Sequence, residues 1–106
     1  MARHFASGDW TLGVGNEETF VTRWTEFLDW TKETAPGFRW ATLIRDEDDP
    51  THVISLAEWD SQEAMAAWRA LPGFGPHLMA CRTLCRDMRG SSYVSVALVE
   101  GAKAPA

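Results

Sequence analysis

No stretch of these 106 residues approaches the roughly 20 consecutive apolar residues of a membrane span, so no membrane partner is expected. The opening MARHFASGDW lacks the apolar core of a secretory leader, and the expected compartment is the cytoplasm. Positive charge is short as well. Ten Lys and Arg stand against fifteen Asp and Glu, a net −5 at pH 7, which argues against nucleic acid as the partner. Gly13, Gly15 and Gly73-Phe74-Gly75 do not form a G-x-G-x-x-G loop after a strand, and there is no nucleophile elbow and no H-E-x-x-H. Hydrolase, kinase and nicotinamide-enzyme readings have no motif to rest on.

Cysteine is also scarce. Cys81 and Cys85 fall one turn apart on one expected helix, where a disulfide would be strained, so both read as buried thiols. His77 extends them into an H-x3-C-x3-C stripe. Three ligands on one helix close a zinc site only with a fourth from elsewhere, and no metal is expected.

What the chain has in plenty is tryptophan, six in 106 residues. The length fits one domain, residues 1–106. Its most informative stretch is Ser55 to Cys85, SLAEWDSQEAMAAWRALPGFGPHLMACRTLC. This begins as a strand and turns at Trp59-Asp60. Asp60 and Glu63 suggest a capping box, and Ala64, Met65, Ala67, Trp68 and Leu71 keep helical spacing. Leu71 to Pro76 breaks the helix, and a second segment carries His77, Leu78, Cys81 and Cys85. Arg82, Arg86 and Arg89 read as the solvated side of that helix.

In chain order, residues 1–8 read as loose, and Trp10, Leu12 and Val14 as a first strand. Asn16 is placed to cap a helix whose face is Phe20, Trp24, Phe27, Leu28 and Thr31. Trp30 falls off that face, which suggests an exposed ring available to another chain. A strand follows over Phe38–Arg45, with Phe38, Trp40, Thr42 and Ile44 on one side. Asp46 to Pro50 is a hairpin tip, and Thr51–Trp59 is the next strand. Tyr93–Val99 alternates as a last strand, and the tail from Gly101 to Ala106 reads as flexible. The order β-α-β-β-α-β is that of a ferredoxin-like α+β fold with an antiparallel sheet.

Two consequences follow from side-chain size. Ile54, Leu56, Val94, Val96 and Leu98 make the face away from the helices apolar, and a second copy of the sheet is the expected cover, giving a homodimer. Ser55, Ala57, Ser95 and Ala97 make a small floor on the helix side, with Trp59 and Trp68 at its rim. A small floor under aromatic walls leaves room for a flat apolar ligand, unless the Trp rings fill it.

Pro36-Gly37-Phe38, the segment Ala57-Glu58-Trp59-Asp60-Ser61-Gln62-Glu63-Ala64, the Trp-bearing helix and the later Pro72-Gly73-Phe74 together resemble the antibiotic biosynthesis monooxygenase family of dimeric α+β barrels. The resemblance covers roughly residues 9–99. It implies a sheet-to-sheet homodimer with one pocket per subunit. One branch oxidises polyketide anthrones to quinones without metal or flavin. Trp59 matches the Trp that branch keeps at the end of the third strand. Its Asn four residues earlier is Ser55 here, and its Tyr six residues later is Met65. A second branch degrades heme. Trp68 matches its helical Trp, but Leu78 stands at the usual place of its His ligand, with His77 one position short, and Gly8-Asp9-Trp10 stands where its Asn is expected.

The expectation is therefore a cofactor-independent monooxygenase acting on an aromatic polyketide-type or phenolic small molecule. Heme degradation, or a non-catalytic small-molecule-binding or stress-related dimer, is the alternative. His77 reads either as a base near neutral pH or as a core histidine bonded to a carbonyl. Trp59 and Ser55 are the expected polar contacts. Trp68, Met65, Trp40, Phe74, Leu78 and Cys81 are the expected lining of the substrate site.

Overall fold

The strand that periodicity places worst is the one the sheet depends on most. β1 runs His4–Leu12, not from Trp10 onward, and lies between two neighbours. Ala6, Ser7 and Gly8 have little intrinsic preference for extended chain. Pairing on both edges overrides this: Gly8 stands opposite Ser55 on one side and Gly90 on the other. The structure, a computed structural model, describes residues 2–102.

The remaining elements are α1 (Glu17–Thr34), β2 (Phe38–Arg45), β3 (His52–Trp59), α2 (Gln62–Arg69), α3 (Phe74–Arg82) and β4 (Cys85–Val94). All strand pairs are antiparallel, in the order β2-β3-β1-β4. This is the ferredoxin-like α+β arrangement, with the second helical region broken in two between Arg69 and Phe74.

One face of the sheet carries the core. Ala6, Gly8, Trp10 and Leu12 of β1 alternate into it, beside Val53, Ala57 and Trp59 of β3. Phe20, Phe27 and Thr31 of α1, Met65 and Trp68 of α2 and Cys81 of α3 close over them. Burying an apolar side chain of this size contributes about 1.5–3 kcal/mol. Trp68 Nε1 donates to Thr31 Oγ1 (3.0 Å), which donates to the Phe27 carbonyl (2.9 Å), so these polar atoms enter the core already paired.

Turns and caps differ from expectation by small, explicable amounts. Ser61, not Asp60, caps α2, its Oγ accepting from Ala64 N at 3.1 Å. Asn16 occupies the N-cap position of α1, but its side chain donates to the Leu84 carbonyl (3.1 Å) and ties the helix start to the loop before β4. Gly37 holds φ +89°, and a Cβ there would come within 2.7 Å of the Ala64 Cβ, so the β2 entry and α2 close on a residue without a side chain.

The last strand is displaced. β4 takes Cys85–Val94, so Cys85, Arg86 and Arg89 belong to a strand and not to a helix. Its composition is polar because it is an edge strand, half-exposed along its length. Beyond Val94 the regular ladder stops, although Ser95 N donates to the Arg3 carbonyl (2.8 Å). Val96, Leu98 and Val99 alternate as a strand would but are exposed, and Ser95 and Ala97 do not floor the core. Of the expected tail, 103–106 lie outside the described residues.

A register shift in β2 separates Phe38 from Trp40. Phe38 packs edge-on against Trp59 (5.4 Å) on the helix side, while Trp40 turns to the far face. Trp40 therefore does not share a side with Phe38. On that far face stand Ile54, Leu56 and Ile44 and two polar clusters. Glu58, 4 % exposed, accepts from Arg3 Nε (2.8 Å) and Nη2 (2.7 Å) and from Trp40 Nε1 (2.7 Å). His52 lies between Asp9 (2.9 Å) and Asp46 (3.2 Å).

The Arg3 hydrogen bonds, helped by Trp40, hold the Glu58 carboxyl at about 2 against an ordinary value of 4.5. A depressed carboxylate stabilises the fold above its unfolded pKa, and that contribution is lost as pH falls from 4.5 through about 2. Glu58→Gln removes the titration but keeps the shape. Urea midpoints measured at neutral pH and through this acid window should show a shallower acid decline in the variant; Asp46 and Asp49, whose carboxyls are lowered by hydrogen bonds from the Asp48 N–H and from Thr51, contribute alike in both proteins.

Candidate functional site

The size mismatch between sheet and helices leaves a hollow. Ala6, Gly8, Ser55, Ala57 and Gly90 present almost no side chain at the centre of β1, β3 and β4. The helices stand over them on large rings and cannot close the gap. The result is a cavity of about 480 Å³, within the range that holds small organic ligands. Its walls are Trp24, Phe27 and Leu28 of α1, Trp68 of α2, and Phe74 and Leu78 of α3. Trp10 and Met88 complete it from the sheet.

The floor is organised by one missing side chain. Trp10 Nε1 donates to Ser55 Oγ at 3.1 Å, its ring lying across Gly8. A Cβ on Gly8 would sit 2.5 Å from that nitrogen and 2.7 Å from the hydroxyl. With Trp10 taken as donor, the Ser55 O–H remains available to donate into the cavity.

The aromatic wall is continuous. Trp68 stacks with Phe27 (5.7 Å) and meets Phe74 edge-on (4.8 Å). Trp59 lies behind it, 4.8 Å from the Trp68 ring and 1 % exposed. Among the described residues, Trp59 Nε1 is the buried side-chain polar atom left without a partner. An unpaired buried donor costs about 1–3 kcal/mol.

Of the residues singled out from sequence, Ser55, Trp68, Phe74 and Leu78 line the cavity. Met65 and Trp59 are buried in the layer outside it. Cys81 is fully buried among core side chains, and desolvation pushes its thiol up to about 12. Cys85, at the start of β4, is raised to about 11 for the same reason, and its Sγ donates to the Cys81 carbonyl (3.4 Å). Both thiols are free and protonated at neutral pH. Trp40 belongs to the opposite face of the sheet, because the β2 register shift turns it away.

His77 is half-buried but does not line the cavity. Its ring stacks on Phe27 (5.8 Å) and Trp30 (4.8 Å). Trp30 is thereby half-buried too, lying over Gly73, and is not the free surface ring its position on the helical wheel suggests. Packed against these two rings and outside the cavity lining, His77 is poorly placed as a substrate base or as a heme ligand. No group of three or more metal-ligating side chains occurs among the described residues, and the H-x3-C-x3-C stripe is broken by the start of β4 at Cys85.

A model of the family described as antibiotic biosynthesis monooxygenase matches residues 10–77, which runs from Trp10 on the cavity floor to His77. The chain belongs to that family. Deoxynogalonate monooxygenase of Streptomyces nogalater is 34 % identical over 98 residues, covering 81 % of this chain and 83 % of its own length. Among solved structures, a variant of SnoaB from the same organism, described as a cofactor-independent oxygenase, superposes with a TM-score of 0.85 at 22 % identity, covering 93 % of this chain and 98 % of its own. A conserved protein from Methanosarcina mazei shares the fold at only 11 % identity, with a TM-score of 0.78 over 88 % of this chain and 92 % of its own.

Sequence reasoning missed the Trp10–Ser55 bond and the contribution of Gly90, Ser92 and Met88 from β4. Gly8 in mid-strand was the available signal, since an interior glycine marks a close approach. Gly8→Ala is expected to displace the Trp10 ring and lower stability by about 1–3 kcal/mol, as overpacking does. Urea unfolding measures the loss, and a changed indole emission maximum reports the broken Trp10–Ser55 contact.

Proposed function

We propose that this protein is a cofactor-independent monooxygenase that oxidises a fused-ring aromatic, polyketide-type substrate with dioxygen. The cavity of about 480 Å³ with its continuous aromatic wall is the observation that carries this reading. The deoxynogalonate monooxygenase relative and the cofactor-independent SnoaB, both of one family with this chain, support it.

The chemistry asks little polar machinery of the protein. An anthrone loses a proton from its central carbon, and the carbanion passes electrons to dioxygen. The resulting hydroperoxide loses water to leave a carbonyl, so one oxygen atom stays in the quinone and the other departs as water. The protein's part is to hold the rings flat, exclude bulk water and stabilise the anion. Ser55 is placed to donate to a substrate oxygen. The Trp59 N–H lacks a partner but lies behind Trp68, outside the lining, and is given no contact with the substrate. His77 supports the wall through Phe27 and Trp30 and does not act as the base.

Oxygen uptake with a model anthrone, by protein treated with chelator and stripped of flavin, tests the reaction. The expected product is the anthraquinone at one dioxygen per substrate. Ser55→Leu, which fills the floor, should abolish uptake, whereas His77→Ala should retain it. Uptake no faster than in buffer would sink the reading.

The reading includes a homodimer formed sheet to sheet. Ile54, Leu56 and Ile44 lie on the face without helices, and Val94, Val96, Leu98 and Val99 are exposed beside it. A second copy covers an apolar surface of this kind without any new fold. Sedimentation should return about twice the 11.9 kDa chain mass, and Ile54→Lys should return single chains. A monomer for the unaltered protein at micromolar concentration would contradict it.

A further inference from the structure

Five of the six tryptophans are held by a specific partner. Trp10 donates to Ser55, Trp40 to Glu58 and Trp68 to Thr31. Trp30 stacks on His77, and Trp59 packs against Trp68. Trp24 has neither an indole hydrogen bond nor a ring partner among the described residues, and it is half-buried.

Its position gives this lack of a specific partner a consequence. A second cavity, of about 600 Å³, lies beneath the first half of α1, against Leu12, Leu43 and Val53. Glu17, Val21 and Thr25 face this second cavity, while Phe27 and Leu28 face the first. On β3 the boundary falls between Val53 and Ser55. Trp24 lines both cavities and is the one residue they share. The two hollows therefore meet beneath one helix at the Trp24 indole, which packs against the core without a hydrogen bond or ring partner.

We propose that Trp24 is a partition that sets ligand length, confining a fused-ring ligand to the first cavity and excluding a long aliphatic tail from the second. The inference rests on the aromatic ligand class proposed above, but not on turnover. The second cavity carries an apolar strip along its sheet side through Leu12, Leu43, Ala41 and Val53, which suits an alkyl chain, with Glu17 and Arg45 as the charged members of its lining. An indole removed from the boundary joins the two spaces.

Calorimetric titration with anthraquinones carrying methyl, butyl or octyl tails tests this without requiring the reaction. In the unaltered protein, affinity should fall as the tail lengthens. In Trp24→Ala the octyl compound should gain about ten-fold or more while the methyl compound changes little, in line with the discrimination that extra methylenes allow in an apolar pocket. Trp24→Leu, which keeps more of the α1 packing, serves if the alanine variant does not fold. Equal change for all three tails, equal affinity for all three in the unaltered protein, or no binding by any of them would each overturn the proposal. Quinone binding with this pattern but no anthrone-dependent oxygen uptake would leave the partition standing and remove only the catalytic reading.

Discussion

The absence of a side chain at Gly8 is the constraint from which the interior follows. β1 is the central strand, flanked by β3 and β4. With hydrogen at its midpoint and Ser55 and Gly90 on either side, the sheet offers no bulk to meet the helices. Trp10 folds over the gap and bonds to Ser55, which fixes the floor at one depth. A larger residue at this point would bring Trp10 up into the space now empty. Native interiors pack closely, so a hollow of this size, walled mostly by rings that are themselves paired or stacked, follows from the small floor and not from loose packing.

The two faces of the sheet solve opposite problems. Toward the helices, polarity is nearly eliminated: Thr31 is consumed by Trp68 and the Phe27 carbonyl, Ser55 accepts from Trp10, and the buried remainder is apolar. Away from them, charge is retained but tied down. Glu58 is almost wholly buried, and two guanidinium hydrogen bonds and an indole N–H keep it ionised. A buried carboxylate is tolerated only when its lone pairs are matched in this way, and the matching fixes where Arg3 and Trp40 must stand. That explains why a bulge in β2, rather than simple alternation, directs Trp40. The pull of Glu58 outweighs the apolar preference of the ring.

Much of this was legible in the sequence, and the failures have a common physical origin. The helices were readable because α1 and α2 carry strong apolar periodicity. The β3 strand and a break between α2 and α3 announced themselves by alternation and by proline and glycine, although the break ends at Gly73 and Phe74 to Pro76 already open α3. The outer halves of β1 and β4 were not readable. His4–Gly8 is made of residues that extend only because neighbours pair with them on both sides, and Arg86–Ser92 is polar because one edge faces solvent. Of the alternating Tyr93–Val99 segment, Tyr93 and Val94 pair with β1 as the end of β4, whereas residues 96–99 have the local look of a strand without a neighbour to make them one. The small floor of the cavity was inferred correctly in kind, yet its β4 members are Gly90 and Ser92 and not Ser95 and Ala97. The packing of His77 against Phe27 and Trp30, outside the cavity lining, is a tertiary contact that no spacing rule reveals.

The polar inventory of the cavity finally bears on what such a site can do. Among its lining residues Arg69 is the one charged side chain, and it lies on the exposed end of α2. No carboxylate or imidazole lines the hollow, and the two thiols nearby are held protonated by burial. The reaction proposed above, in which the substrate ionises easily and then reduces dioxygen, asks little of such groups. The demands then placed on the protein are shape, dryness and a few fixed donors. Those are the properties that an aromatic wall over a floor of glycine, alanine and serine provides.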